Sequence, residues 1–442
     1  MSRLAQTNFK NIEKKISFLS IFFKTFPYGN IYLVGGAVRD LFLNRKTNDI
    51  DLVIQHVPKN KLELFLQKYG NLYFVEKKFG TYKFIFKNNP DLIFDIALPR
   101  TEESLSTSRG GYREFSIKSQ KDLPIEKDLS RRDFTINAMA YNLRLKNLID
   151  PFKGKQDLQK HLIRSVGDAK QRFKEDHSRV LRAIRFACEL QFSLSRSMVQ
   201  TIKNFSVQID EKNFQVSKEI KAREFIKSFF SDPIQSICLF ERFDLLKYVF
   251  SIPFSFQKKT IKRLKILQQK KAPLSLLLVG LIFDLPSQEQ TIIIRELRFS
   301  GFPTNCPLYI NQKEINWLLA ATYSLKTTKI TDLSNVEFEK CFLAPPSALL
   351  LLLLQAEKES NPKQIDPTVY QIQKRINELY RITNTPKGSL IAPLITALDI
   401  LQYLPDLPKH QIGKCLLIVR EKQLQGTFKT RGQVLRWLKS QS

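Results

Sequence analysis

Three aspartates and a pair of glycines mark where this 442-residue chain can do chemistry. Asp49 and Asp51 lie two apart in a run rich in Ile, Leu and Val. In a strand both carboxylates leave the same face and can share a hard cation, with Mg²⁺ the natural one. Asp95 lies inside a third apolar run, Asp91-Leu-Ile-Phe-Asp95-Ile-Ala, where an unpaired charge is costly, so it is expected to face a cation as well. Upstream, the apolar strand Ile31–Val34 runs into Gly35-Gly36, and a short helix is expected to open at Ala37. Glycines there let the backbone turn sharply and approach a ligand, while the helix start aims its N–H groups at an anion. Arg39 adds a charged fork. The glycine spacing fits neither the dinucleotide fingerprint nor the P-loop.

Two further stretches carry charge in patterned form. In Leu129-Ser-Arg-Arg-Asp-Phe-Thr-Ile-Asn, Arg131 and Arg132 precede a helix that Ser130 or Asp133 is expected to cap. Phe173–Gln191 reads as one helix with Leu181, Ile184, Ala187 and Cys188 as its buried stripe. Asp176 and Arg179 sit one turn apart on it. By default such a pair is a surface ion pair worth about 0.3–0.5 kcal/mol.

The elements that must position these groups are legible from apolar spacing. Phe9, Ile12, Ile16, Leu19 and Phe23 fit one face of an N-terminal helix, and Pro58–Tyr69 reads as another. Strands are expected at Asn71–Glu76, Phe79–Phe86 and Asp91–Ala97, in a mixed or antiparallel sheet. Thr101–Lys127 reads as a mobile loop, and helical, basic sequence dominates after Asp150-Pro151.

Lys and Arg exceed Asp and Glu by 29, a surface that attracts polyanions. Lys258–Lys271 holds seven basic residues and no acid, and Lys409–Ser442 holds eight against Glu421 alone; both read as faces that can grip a phosphate backbone. The five cysteines lie far apart in mostly apolar surroundings and read as buried, reduced thiols of a cytoplasmic protein. No His or Cys spacing suits zinc. The apolar runs Leu274–Phe283 and Leu349–Leu354 fall far short of the ~20 residues that cross a bilayer and read as buried helices. Lys14-Lys15 before an apolar run mimics a signal peptide, but no small-residue cleavage site follows. No protein partner is readable.

Four stretches in order, GGAVRD with DID, FDIALPRTE, RRDFTINAMAYN and EDHSRVLRAIRF, resemble the class II tRNA nucleotidyltransferases and the related bacterial poly(A) polymerases. Weaker similarity continues through VSKEIKAREFIKSFF, ELRFS and the C-terminal IGKCLLIVREKQLQGTFKTRGQVLRWLK. The resemblance implies an α+β fold: a polymerase-β-like head over residues 1–150, a helical neck that reads the base over 151–250, and a helical body and tail over 251–442 that bind tRNA. It implies metal ligands at Asp49, Asp51 and Asp95. Triphosphate and sugar contacts fall on Gly35, Gly36, Arg39, Arg131, Arg132, Asp133 and Asn137. Base reading falls on Asp176 and Arg179, with Arg182 and Arg185 lining the same site; on an ideal helix Arg185 lies roughly opposite Asp176.

The base-reading assignment has its own chemical support. Cytosine and adenine each offer an exocyclic amine beside an unprotonated ring nitrogen, so a carboxylate accepts from one and a guanidinium donates to the other. Uracil and guanine reverse that polarity and leave buried groups unpaired. The activity implied is attack of an RNA 3′-hydroxyl on the α-phosphorus of CTP or ATP, assisted by two Mg²⁺ ions, building the CCA end of tRNA without a template. The basic arm would measure the acceptor stem and elbow. Three other readings stay open: a poly(A) polymerase, an enzyme adding only CC or only A, and a non-catalytic RNA-binding protein on the same scaffold. In the family the region matching Thr101–Lys127 helps switch between C and A. The glycines expected around Leu398–Gly413 are mostly replaced, as at Pro405, Asp406 and Lys409.

Overall fold

Ile31–Val34 forms the interior of a sheet, and its alternation decides what lies on each side. The structure is a computed structural model; it describes all residues except 1–2, 48–49, 77–79, 88, 105–114, 251, 253–254, 299, 344–345, 362–367, 387–390 and 442. The described residues up to 149 contain nine strands: β1 (Asn30–Val34), β2 (Ile50–Gln55), β3 (Gly70–Glu76), β4 (Thr81–Phe86), β5 (Asn89–Ala97), β6 (Arg100–Ser104), β7 (Phe115–Ser119), β8 (Ala140–Asn142) and β9 (Asn147–Ile149). Seven of them form one mixed sheet in the order β3-β4-β5-β2-β1-β8-β9. Every neighbouring pair is antiparallel except β2 and β5, which run parallel with Asp51 opposite Asp95. The expected strands are thus present, the second beginning at Thr81; Phe79 lies outside the described residues.

One face of the sheet is sealed by aromatic rings. Phe18 packs on Phe65, Phe84 and Phe86 at centroid separations of 5.7, 6.0 and 5.5 Å. This corrects the single N-terminal helix: the segment forms α1 (Arg3–Lys15) and α2 (Leu19–Thr25), broken by a turn at residues 16–18. The turn brings Phe18 and Phe22 inward in place of Leu19 and Phe23. The gain is burial of two large rings, a stronger term than the hydrogen bonds lost in one helical turn.

The opposite face carries Tyr32, Val34 and Val53, covered by Ile125 and Leu129. Those two residues belong to α5 (Ile125–Ser130), which follows α3 (Gly36–Phe42) and α4 (Lys59–Tyr69) in the chain. Thr101–Lys127 is therefore not loop throughout. Its ends form the antiparallel pair β6–β7, with Arg100 opposite Ser119, and the start of α5; only 105–114 lie outside the described residues. Ser130 ends a helix rather than capping one, and Asp133 leads into a 3₁₀ turn at Thr135–Asn137.

The remaining helices of this unit include α6 (Gly154–Gln159), α7 (Ala169–Glu175), α8 (Ser178–Leu190), α9 (Arg196–Gln208) and α10 (Lys218–Ser231). The expected helix Phe173–Gln191 is thus interrupted. Asp176, at φ −149° and ψ 103°, is extended, and its carboxylate accepts from Ser178 N–H at 2.9 Å. A short polar side chain that can bond the backbone two residues on favours such a break. The stripe Leu181, Ile184, Ala187 and Cys188 is buried as expected.

The chain divides into two compact units, Met1–Phe254 and Ser255–Ser442. The second is helical among its described residues. Leu274–Ile282 is buried along its whole length, whereas the Ser347–Ser360 helix buries Leu350 and Leu353 but leaves their leucine neighbours half-buried. No helix among the described residues is long and apolar enough to cross a membrane. All five cysteines are unbridged, but Cys188 alone is buried; Cys238 is exposed, which corrects the expectation for the set.

The basic clusters also need correcting as uniform solvent faces. Arg263 is fully buried, donates to Gly280 O at 2.9 Å and pairs with both Asp284 and Glu357. Lys259 pairs with Asp284 at 2.7 Å and Lys270 with Glu359 at 3.1 Å. In the C-terminal cluster Arg420 is held by Glu339 and Arg431 by Asp399. Removing one partner from a buried charge cluster leaves the others uncompensated. Arg263→Ala is expected to cost about 3–5 kcal/mol, read by calorimetry of the full chain as a lowered unfolding transition of the 255–442 unit.

Candidate active site

The parallel contact of β2 and β5 sets Asp51 and Asp95 side by side on one face, on strands about 4.8 Å apart. Two oxygen-donor side chains at that spacing suit a hard divalent cation. Asp49 lies outside the described residues, and among the described residues no three Asp, Glu, His or Cys gather as a metal site. Asp95 is half exposed rather than deeply buried. The cation it meets is an ammonium: Lys83 Nζ lies 2.9 Å from its Oδ1 and 3.4 Å from its Oδ2.

Gly35 connects this face to the arginine stretch. Its φ is +70°, a conformation side chains rarely adopt, and a β-carbon there would fall 2.6 Å from Arg132 Nη1 and 3.3 Å from Asp51 Oδ2. Glycine is thus required by the backbone and by the crossing guanidinium alike. Gly36 opens α3, and Arg39 on that helix is buried. Arg39 holds Asp40 with two bonds, of 2.9 and 3.1 Å, and donates to Asn137 Oδ1 at 2.8 Å. Its guanidinium is engaged by the protein in this state.

Arg131 and Arg132 reach the site because α5 packs against the carboxylate-bearing face. Asp128 on that helix is fully buried and pairs with both, at 3.0 and 3.5 Å. Burial works to raise its carboxyl, but the charges of Arg131 and Arg132 outweigh that and hold it below the usual carboxylate range.

Asp133 is the junction of the site. Its Oδ1 accepts from Phe134 N–H at 2.8 Å and from Asn137 Nδ2 at 3.2 Å, and its Oδ2 accepts from Arg182 Nε and Nη2 at 2.8 and 2.6 Å. Burial would raise this carboxyl; Arg182 and the hydrogen bonds more than offset it and hold the group at about 2.

Arg172, Arg179 and Arg182 stitch residues 130–133 to the helical pair α7–α8. Arg172 donates to Ser130 O, Arg179 Nη2 donates to Arg131 O at 3.2 Å, and Arg182 holds Asp133. Asp176 and Arg179 lie together, with Nε 3.9 Å from Oδ2, and both are more than nine-tenths buried. This corrects the surface-pair default. Burial raises the Asp176 carboxyl, only partly countered by Ser178 and Arg179, and burial lowers the Arg179 guanidinium. A desolvated, loosely joined acid–base pair can exchange its partner for a ligand edge with matching donor and acceptor.

Arg185 turns away. Its Nε lies 2.7 Å from Glu224 Oε2 on α10, an ion pair without hydrogen-bond alignment, and its guanidinium carbon sits 4.1 Å from the Phe186 ring centroid. The structure therefore gathers Gly35, Asp51, Asp95, Arg131, Arg132, Asp133, Asn137, Asp176, Arg179 and Arg182 through successive contacts, and sets Arg185 on Glu224. Sequence reasoning missed the acids that hold the arginines: Asp128, Glu175, which lies 2.9 Å from Arg172 and 3.5 Å from Arg179, and Glu224. For Asp128 and Glu175 the three- and four-residue spacing to arginine was the available signal. Glu224 gave none.

Residues 31–164 match the family model of the poly A polymerase head domain. The CCA-adding enzyme of Lactobacillus johnsonii is 38% identical over 175 residues, 39% of this chain and 40% of that enzyme. The chain thus spans about 40% of the length of that curated relative. Among solved structures, the Bacillus stearothermophilus CCA-adding enzyme in complex with CTP superposes with a TM-score of 0.68 at 21% identity, covering 100% of this chain and 98% of that one. The Thermotoga maritima CCA-adding enzyme complexed with tRNA gives 0.58 at 21% identity, covering 96% of each chain.

The Asp133 junction has a measurable signature. Asp133→Ala is expected to cost about 2–4 kcal/mol, below the range for a fully buried pair because Arg182 is one-third exposed. With a folded value of about 2 against an unfolded value of about 3.9, the Asp133 contribution is complete above about pH 4 and is lost as pH falls through the folded value. Urea titrations of wild type and Asp133→Ala from pH 7 to 2 should show the gap between them closing below about pH 4.

Proposed function

We propose that this chain, whose residues 31–164 carry the poly(A) polymerase head and whose fold is that of the CCA-adding enzymes, adds or repairs the 3′-terminal CCA of tRNA from CTP and ATP without a nucleic-acid template. The observation that carries the reading is the buried Asp176–Arg179 pair, tied through the Arg131 carbonyl to the stretch that crosses Gly35 beside Asp51. In this reading a pair suited to base edges is joined by that chain of contacts to a face with two in-register carboxylates.

In this reading Asp51 and Asp95, with Asp49 as the third carboxylate, hold Mg²⁺. When bound, the two ions supply Lewis-acid activation of the attacking 3′-hydroxyl and charge neutralisation at the departing pyrophosphate. Gly35 and Gly36 let the backbone approach the triphosphate, and Arg131 and Arg132, aimed by Asp128, balance its charge. Asp133, Asn137 and Arg182 fix the distance between that charge and the base reader. Asp176 accepts from the exocyclic amine of cytosine or adenine while Arg179 donates to the adjacent ring nitrogen. The 3.9 Å gap between them leaves each able to turn to the base.

The relatives solved with CTP and with tRNA support nucleotide and tRNA as the substrates of this fold. The surplus of basic residues supports a polyanionic partner. Five cysteines without a disulfide among them suit the cytoplasm.

The test is incubation of the protein with Mg²⁺ and labelled tRNA transcripts ending before CCA, after C and after CC, supplied with CTP, ATP or both. Completion of CCA on every transcript is expected. Arrest at CC, or one A added only to the CC-ended transcript, would assign a split activity, and long A tails on unrelated RNA a poly(A) polymerase. Asp51→Ala is expected to abolish transfer while leaving tRNA binding largely intact. Asp176→Ala is expected to lower use of CTP and ATP more than tenfold relative to UTP, read as ratios of kcat/KM.

A further inference from the structure

Four residues form one cross-strand row on the carboxylate-bearing face. Tyr73 on β3 stands opposite Lys83 on β4, Lys83 opposite Asp95 on β5, and Asp95 opposite Asp51 on β2. Paired residues on neighbouring strands point the same way, so Lys83 is directed along the row toward the carboxylates. Its ammonium reaches both oxygens of Asp95, at 2.9 and 3.4 Å. Lys83 and Asp95 are each about half exposed, at 52% and 45%. On the far side the row ends at Tyr73, also half exposed, on the edge strand.

We propose that Lys83 is an internal placeholder for the divalent ion at Asp95: its ammonium occupies the carboxylate until the metal displaces it and turns the side chain toward the open edge at Tyr73. The inference rests on the metal role proposed for Asp51 and Asp95. A strongly hydrated point charge on a flexible stem suits such a part, because it can leave without disturbing the strand. The position also explains how two carboxylates are kept side by side without the ion. Asp95 has its counter-charge in Lys83, and Arg132 crosses Gly35 near Asp51. The consequence is competition: every divalent ion that binds must first displace the ammonium and then bear its nearby positive charge. Half-exposed charges at this spacing change an equilibrium by a few-fold rather than by orders of magnitude.

A pair across two strands also steadies the sheet, and a melting temperature would register that role. Metal affinity separates the two. The experiment is titration of the full chain with Mn²⁺ alone, without nucleotide or RNA, followed by electron paramagnetic resonance of the free ion. Lys83→Met is expected to bind Mn²⁺ roughly threefold to tenfold more tightly than wild type, and Lys83→Arg to stay within twofold of it, since arginine restores both charge and pairing. Adding Asp95→Asn to Lys83→Met should remove the gain. Binding that depends on Asp51 but is equal or weaker in Lys83→Met overturns the placeholder and leaves the metal reading standing. Absence of saturable, Asp51-dependent binding in wild type and variants overturns both.

Discussion

The buried Asp133 carboxylate is the interaction on which the site depends. It lies between two structural systems. Through Asn137 it reaches Arg39 on the helix after the glycine pair, and through Arg182 it reaches the helix that begins beside Asp176 and Arg179. A carboxylate with four hydrogen bonds from three directions has little freedom to move, and the low value at which it is held shows that its charge is strongly favoured in place. The spacing between the face that carries Asp51 and the pair that would read a base is therefore set by a short chain of charge-assisted bonds.

The same economy recurs around the other arginines. Asp128 pairs with Arg131 and Arg132, Glu175 with Arg172 and Arg179, and Glu224 with Arg185 and, at 4.0 Å, Arg182. Each acid lies on a helix and is largely shielded from water, so its attraction is screened less than at the surface. The count of 71 lysines and arginines accordingly overstates the cations free at the surface, whereas the surplus of 29 over the acids already allows for such pairing. Arg263, Arg420 and Arg431 have carboxylate partners inside the second unit, and none of these pairings is local in sequence.

The mixed sheet supplies what the arginines are arranged around. Of its neighbouring strand pairs only β2 and β5 run parallel, and they carry Asp51 and Asp95 in direct register. The aromatic packing of Phe18, Phe65, Phe84 and Phe86 seals the reverse face, where Phe94 of β5 meets Phe86 at 5.2 Å, while Leu52 and Ile54 of β2 are buried; these alternations fix which way both strands present their side chains. A one-residue slip of either strand would turn its carboxylate into that aromatic layer, where its charge would be unpaired.

Local pattern was enough to locate β1 to β5, the glycine turn, the buried stripe of α8 and most of the residues that now meet. Those features follow from period-two and helical alternation and from backbone demands that only glycine meets, and they are written in adjacent residues. The helix breaks at residues 16–18 and at Asp176, the strands and helix inside Thr101–Lys127, and the burial of the Asp176–Arg179 pair were not legible. The Asp176 break comes from a local bond, with Ser178 N–H, that competes with the helix; the others are decided by partners distant in the chain: Phe65, Phe84 and Phe86 for Phe18, β1 and β2 for α5, and the Arg131 carbonyl for Arg179. Sequence by itself determined which residues carry charge, turn and apolar face. Tertiary structure alone decided which charges are shielded and which meet, because desolvation and Coulomb attraction depend on distance through space, and spacing along the chain does not report it.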